Sequence, residues 1–598
     1  MGRRIFVAFF ITVVALAATA MLIWWVALPL ISGLPALGGF GANRNVVNFH
    51  EQFQLDPDVA VIIFGANHVT GHSAPIVEET LTTPRVFIPA SIVRERIDPF
   101  VFWDEGAGVF FISSHFALLE FTPGSSAFVA NGMALPLPTP IRRIDDEVFL
   151  PVDLLHQLYP WIIEYNEEQN IVVITDATSR HVPAVVIQDN ASVRFWGNYR
   201  APVAAFLNEG AYIFVFEEEG SMNPDEFVRV RTVDGIPGYI SLAEISRGDE
   251  AYPDPGRTPQ FHDWIDNRLP SPHNWPAGVR VNMVWEFVYV QQANINNMET
   301  ELHPSLSVIS PTWFTVDESG RHLISRVNRG YVQWAQSQGV QVWPKVFDES
   351  NDRVRRMLMN RDNRRHVINQ LVHYVDTLGL DGININFENL LNTTDGLYKV
   401  QFLRELAIPL RERGVVISAA LKPPYSFNMV YQPHLIGLTV DFVQLMAYNQ
   451  YYSGSATAGP NAALPWVQWA VETMLEEMPN YRLILGIPFY VNLWRENVIT
   501  GELRNRQVGM TFEGGVRNYF RMQGGTEWVW LDNLGVYFGE VALIEEGETW
   551  ILRIWLECER SISAKMQLFA TYQLAGVAGW VRGLESPGVW EVLERFFM

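Results

Sequence analysis

A single cysteine, Cys558, in 598 residues leaves no partner for an intrachain disulfide and excludes a zinc site built on several thiolates. The 13 histidines are scattered, with no HExxH or similar paired spacing, so no metal centre and no cofactor is expected. Positive charge is scarce as well: 43 Lys and Arg stand against 65 Asp and Glu, a formal net charge of −22. That balance disfavours nucleic-acid backbones and anionic membrane surfaces as partners, whereas a neutral glycan is compatible with it. Charged residues make up only 18% and hydrophobic ones 48%, which excludes a disordered polymer. A folded chain of this length divides into several domains.

What is present begins with a long apolar run, from Ile5 to about Ile31, preceded by Arg3 and Arg4. At about 1.5 Å per helical residue it is long enough to cross a bilayer. Residues 1–31 therefore read as a single-pass anchor with its positive end inside and the rest of the chain extracytoplasmic. Small residues from Ala17 to Ala20 leave open the alternative of signal cleavage and secretion. A Gly-rich tether, 32–49, follows.

Residues 50–178 contain an internal echo. VFIPASIVRERIDPFVFWDEGAGVFFIS, from Val86, matches VFLPVDLLHQLYPWIIEYNEEQNIVVIT, from Val148. Each copy reads strand, proline, short helix, strand, acidic turn, strand. This α+β unit resembles the domain named after the amino terminus of copper amine oxidases, although no histidine cluster accompanies it and no copper is expected. Residues 179–247 turn to short β segments, including Ala184 to Ile187, Tyr212 to Phe216 and Phe227 to Arg231. With VRVRTVDGIPGYIS near its end, this part is similar to a bacterial SH3-type barrel. A Pro-rich linker, 248–278, separates it from the rest.

The remaining residues, 279–598, are organised around DGININFENL, Asp381 to Leu390. Read as a strand, Ile383, Ile385 and Phe387 face one way, and Asn384, Asn386 and Glu388 the other. Helical periodicity precedes it at Val367, Ile368, Leu371, Val372, Val375 and Leu378, with Gly379 as a stop. It resumes at Tyr398, Leu403, Leu406 and Leu410. Helix–strand–helix alternation implies a parallel sheet. Eight candidate strands can be counted: Val279 to Val290, Leu306 to Phe314, Val340 to Phe347, Gly382 to Glu388, Val415 to Leu421, Phe442 to Tyr448, Leu483 to Pro488 and Val577 to Val581. Helices are expected at Arg321 to Gln338 and Trp466 to Met478, and an excess of residues, about 491–566, at a small inserted domain. The expected fold is a (β/α)8 barrel in which the Asn384, Asn386 and Glu388 face climbs the interior toward the catalytic end. A carboxyl group enclosed there is suited to proton donation.

DGININFE resembles the DGxDxDxE motif of glycoside hydrolase family 18, in particular its bacterial spore-germination and cell-wall branch. The likeness extends through VNMVWEFV, VISPTWF, QLMAYN, LGIPFY and AGVAGW at the ends of other strands. It implies hydrolysis of an N-acetylglucosamine-containing wall glycan, peptidoglycan or chitin-like, in which Glu388 is the general acid and the substrate's own 2-acetamido oxygen the nucleophile. The acid that orients the acetamido group in the family is replaced here by Asn386, and a second acid by Asn384. Asn449 follows Tyr448 where the family's sixth strand commonly carries Asp. The resemblance places Tyr448 on the acetamido carbonyl, and Trp580 under the scissile sugar. Asn384, Met446, Asn449, Trp313 and Trp285 complete the expected substrate contacts. Three neutral residues around one glutamate leave a second reading open, a catalytically weak glycan-binding or spore-envelope protein that uses the same cleft.

Overall fold

The computed structural model describes residues 46–597 except 66, 82, 177–179, 217–225, 249–251, 254–274, 277 and 546. The apolar run near the amino terminus, nearly all of the tether and most of the Pro-rich linker lie outside the described residues. No described helix is long and apolar enough to cross a membrane.

Two compact units result, and each is discontinuous in sequence. Among the described residues, the first comprises those from 46 to 71 with those from 161 to 257. In it Val61–Phe64 runs parallel to Ile171–Asp176, which also pairs with Trp161–Asn166. An antiparallel sheet follows, built from Arg180–Val186, Ala191–Arg194, Val203–Leu207, Tyr212–Phe216, Phe227–Thr232, Pro237–Ser241 and Ile245–Arg247. Ile63, Ile171 and Val173 share one apolar core with Val193, Val215, Val230 and Ile240. Gly235, at φ 95°, sits where a side chain would meet Val173 at 2.5 Å, so the turn closes only with glycine.

The second unit holds the described residues of 72–160 with those of 275–597. The two sequence copies meet in it through Arg85–Pro89 and Glu147–Pro151, which pair antiparallel about Ile88 and Leu150, equivalent residues of the repeat. Both strands lead into seven-residue helices, Ala90–Arg96 and Val152–Leu158, as the echo predicts. The copies then diverge: the hairpin of the first, Val101–Asp104 with Val109–Ser113, belongs to this unit, and that of the second belongs to the other.

The first hairpin packs on the barrel helices Arg361–Leu378 and Thr393–Glu412. Arg364, fully buried, donates to Asp104 at 2.7 Å and to Glu405 at 3.2 Å. Tyr398 donates to the other Asp104 oxygen at 3.2 Å, and Phe102 meets the Tyr398 ring edge-on at 4.9 Å. Arg361 and Arg365 both reach Glu120, and the Arg404 guanidinium lies 3.8 Å over the Phe100 ring. Phe100, Phe102 and Phe111 thus join the apolar core of the barrel.

The barrel is closed. Its strands are Val281–Glu286, Val308–Pro311, the third in two pieces, Gly382–Asn386, Val416–Leu421, Phe442–Met446, Leu483–Pro488 and Gly576–Trp580, and the last pairs with the first. The third strand was expected to be continuous from Val340 to Phe347. Instead Gln341–Val342 pairs with the second strand and Lys345–Phe347 with the fourth. Pro344, which has no N–H to give the ladder, stands in the break. A second correction concerns Arg321 to Gln338. Only Arg329–Ser337 is helical, capped by Asn328 on the Tyr331 N–H, while Leu323–Ser325 pairs with Phe314–Val316 as a hairpin. The helix expected from Trp466 is present as Leu464–Glu477.

Between the seventh and eighth strands, the predicted insertion is a five-stranded antiparallel sheet with the helix Val516–Met522. Its sheet ends at Leu556, and Glu559–Thr571 is the barrel helix that leads back to the eighth strand.

Candidate active site

Local chemistry explains why the fourth strand presents its polar row inward. Asn360 caps the helix Arg361–Leu378, and Gly379, at φ 69°, ends it in the left-handed region. Asp381 then turns its carboxylate outward, accepting from the Val342 backbone N–H at 2.9 Å and from Gln336 at 3.0 Å. The first acid of the motif therefore ties the fourth strand to the third. Gly382 lies against Trp343, where a side-chain carbon would come within 2.5 Å of the ring.

Ile383, Ile385 and Phe387 are fully buried in the apolar layer. On the opposite face Asn384 fills the barrel interior. Its carbonyl accepts from the Trp285 indole at 3.0 Å, and its amide donates to Ser418 at 3.0 Å and Gln444 at 2.8 Å. All of its hydrogen-bonding groups are thus engaged by the protein.

One step further along, the Asn386 amide donates to Glu388 Oε1 at 2.7 Å. Its own Oδ1 is buried with no partner. The Glu388 side chain is 36% exposed, so the expected enclosure is partial. Tyr431 donates to the Glu388 backbone carbonyl, which steadies the residue where the strand ends.

Tyr448 is buried, and its hydroxyl also has no partner. Burial pushes this phenol well above its usual range, Tyr490 and Glu388 adding to the effect. It is therefore a hydrogen-bond donor and not an anion. Met446, two residues earlier on the same alternating face, is 5% exposed.

Trp580, at the end of the eighth strand, is half-buried and rests on Trp285 at 5.6 Å and Phe287 at 5.3 Å. Phe287 stacks in turn on exposed Tyr289 at 4.9 Å. This aromatic platform is continuous with the mouth of the barrel.

Asn384, so engaged, is not a substrate contact as expected, and three further expected contacts are placed elsewhere. Trp285 is fully buried beneath Trp580 and offers no ring face to a ligand. Trp313 is fully buried too, its indole donating to Asn294 at 2.8 Å and its ring against Tyr331, because its side chain points into the helix layer and not into the mouth. Asn449, at φ 62°, is engaged by Tyr490 at 2.5 Å and by Gln507 of the inserted sheet at 3.3 Å, so it braces the insertion.

Sequence reasoning missed two lysines. Lys345, on the third strand, has its ammonium 4.0 Å from Glu388 Oε1 and 4.3 Å from the Trp580 ring centre. Burial lowers it to about 8, with Glu388 and Glu349 opposing. Lys399, on the helix behind, reaches the Phe387 carbonyl at 3.4 Å, and burial lowers it to about 7. A lone lysine in the otherwise apolar VWPKVF was the available signal for the first. For the second there was none, since lysine is ordinary in a helix.

Residues 332–585 match the model of the family Glycosyl hydrolases family 18, and residues 67–174 match that of the Copper amine oxidase N-terminal domain. These are two of the three resemblances read from the sequence. Among curated proteins, it is 26% identical over 257 residues to the putative sporulation-specific glycosylase YdhD of Bacillus subtilis, covering 42% of this chain and 58% of that protein. It is 28% identical over 259 residues to the cortical fragment-lytic enzyme of the same organism, covering 41% and 57%. The chain thus spans less than two thirds of the length of either relative. Among solved structures, the spore cortex-lytic enzyme SleL of Bacillus megaterium superposes with a TM-score of 0.46 at 20% identity, over 54% of this chain and 76% of that one.

Proposed function

We propose that this chain hydrolyses a cell-wall glycan containing N-acetylglucosamine, with Glu388 as general acid and the substrate's 2-acetamido group as internal nucleophile. One observation carries the reading. Beside Glu388 lie two buried polar atoms without partners, and they are of opposite character: Asn386 Oδ1 can only accept, and the Tyr448 hydroxyl is held as a donor. An acetamido group presents one N–H and one carbonyl oxygen, the complement of that pair. Buried polar groups left unpaired cost roughly 1–3 kcal/mol each, so a ligand that satisfies both is favoured over one that lacks the amide. The match to Glycosyl hydrolases family 18, and the names of the Bacillus relatives, a glycosylase and a cortical fragment-lytic enzyme, support a wall glycan as substrate.

Asn386 also sorts the two carboxyl oxygens of Glu388. Because its amide donates to Oε1, the acid proton belongs on Oε2. From there it passes to the glycosidic oxygen as the bond to C1 breaks. The acetamido oxygen, aligned by Tyr448 and Asn386, closes on C1. Water then opens the ring with Glu388 as base, and configuration is retained. Trp580 provides an apolar face beneath the sugar, and Met446 a wall of the same pocket.

The neutral Asn386 favours a second reading, a glycan-binding protein of low turnover, since an amide cannot balance positive charge on the sugar. The apolar run from Ile5 to Ile31 supports an extracytoplasmic, membrane-anchored location.

The test is turnover of chito-oligosaccharides and peptidoglycan fragments by the full-length chain beside Glu388→Gln. Hydrolysis that falls by about 10² to 10⁴ in the variant is expected for loss of a general acid. No cleavage by the parent, with glycan binding retained, would replace the hydrolase by the binding protein.

A further inference from the structure

Lys345 has no assigned role, yet its ammonium lies 4.0 Å from Oε1 of the proposed acid. Its side chain is 4% exposed, and it faces the same Glu388 oxygen, Oε1, that accepts from Asn386. The rings of Trp580 and Phe347, 4.3 Å and 5.1 Å from the ammonium, hold it in place. Among the described residues it is the one cation within ion-pair distance of that carboxylate.

The other groups around Glu388 are of different kinds. Lys399, from the helix Thr393–Glu412, bonds the Phe387 carbonyl on the opposite face of the strand, and Lys422, past the fifth strand, bonds Asn389. Tyr431, Tyr448 and Tyr490 are all phenols held above their ordinary range by burial. Glu349, after the third strand, acts on Lys345. No second carboxyl hydrogen-bonds Glu388 among the described residues, because Asn384 and Asn386 occupy the neighbouring positions on its own strand.

We propose that Lys345 is a positioning residue for Glu388, its ammonium stabilising the carboxylate that remains after the acid proton has left. The proposal rests on the reading of Glu388 as proton donor. A carboxyl group beside another is harder to ionise, whereas an ammonium within ion-pair distance favours the ionised form. In the reaction Glu388 gives its proton to the leaving oxygen, and the resulting carboxylate lies beside Lys345. The proton of the attacking water then restores the acid, and Lys345 keeps its own proton throughout.

The experiment is a pH titration of the Glu388 carboxyl by carbon-13 NMR in the full-length chain, its signal identified by loss in Glu388→Gln. Lys345→Met, which keeps the shape of the side chain, should move the midpoint upward by roughly 1 to 3 pH units, and Lys345→Arg should hold it near the parent. The alkaline limb of glycan turnover should move with it. A midpoint unchanged in Lys345→Met, or shifted equally in Lys345→Arg, would overturn the proposal. Absence of turnover in the parent, with the carboxyl shift present, would sink the hydrolase reading and leave the charge coupling standing.

Discussion

Asn386 is the residue on which the chemistry turns. As an amide it donates to Glu388 Oε1 and keeps Oδ1 free of any protein partner, but it carries no charge to balance a developing cation. Asn386→Asp should raise turnover by roughly 10² if the missing charge is worth about 3 kcal/mol at the transition state; initial rates on one oligosaccharide measure it, and a slower variant would show that donation to Glu388 matters more. Tyr448→Phe deletes the donor alone and should cost about 10-fold or more in kcat/KM on acetylated substrate, with little effect on fold. Lys399 makes a separate prediction about stability. Burial lowers it to about 7 from an ordinary 10.5, so between those values the unfolded chain binds a proton that the folded chain does not. Its contribution to stability therefore rises with pH from about 7 to 10.5 and is level below. Lys399→Met should flatten that rise and stabilise the protein at pH 7 by about 1–4 kcal/mol, read from urea midpoints at pH 7 and pH 10. Glu388, Asn386 and Tyr448 were legible from alternation and resemblance. Lys345 was not, because its neighbour Glu388 lies 43 residues away along the chain and next to it only across the third and fourth strands.

Elements show the same division between what is local and what is not. The repeat was legible because each copy carries its own strand, proline and helix, and the register about Ile88 and Leu150 follows from their equivalence. That the first hairpin docks on barrel helices could not be read, since Asp104 and Arg364 are 260 residues apart. This contact is a buried ion pair with both side chains at 0% exposure, joined by Glu405 and Tyr398. Asp104→Ala leaves the guanidinium short of a counter-charge and should destabilise the unit by about 3–5 kcal/mol, whereas a buried pair replaced on both sides by apolar residues need not. Thermal unfolding of the full-length chain checks the loss, and limited proteolysis should cut within residues 100–121 first. The broken third strand has a similar lesson. Its apolar pattern promised continuity, and Pro344 prevented it by removing a ladder donor, which let the two pieces pair with different neighbours.

For the molecule as a whole, the consequence is that the barrel is not an independent body. Phe100, Phe102 and Phe111 belong to its core, so a fragment of residues 279–598 would bare that apolar surface together with Arg364. Such a fragment should melt roughly 10 °C below the full-length chain or aggregate, given the size of the lost contacts; equal melting temperatures would show the docking to be incidental. The sequence by itself determined the elements and their order: eight barrel strands, an inserted sheet, a duplicated α+β unit and the inward polar row that ends at Glu388. These follow from periodicity, turn residues and caps, all of which act over a few positions of chain. Only the tertiary structure decided which aromatic rings face the mouth, which asparagine keeps a free oxygen and which lysine stands beside the acid. Those outcomes depend on packing between strands and helices distant in sequence, where burial and a shift of a few ångströms decide whether a polar atom meets a partner, a ligand or a charge.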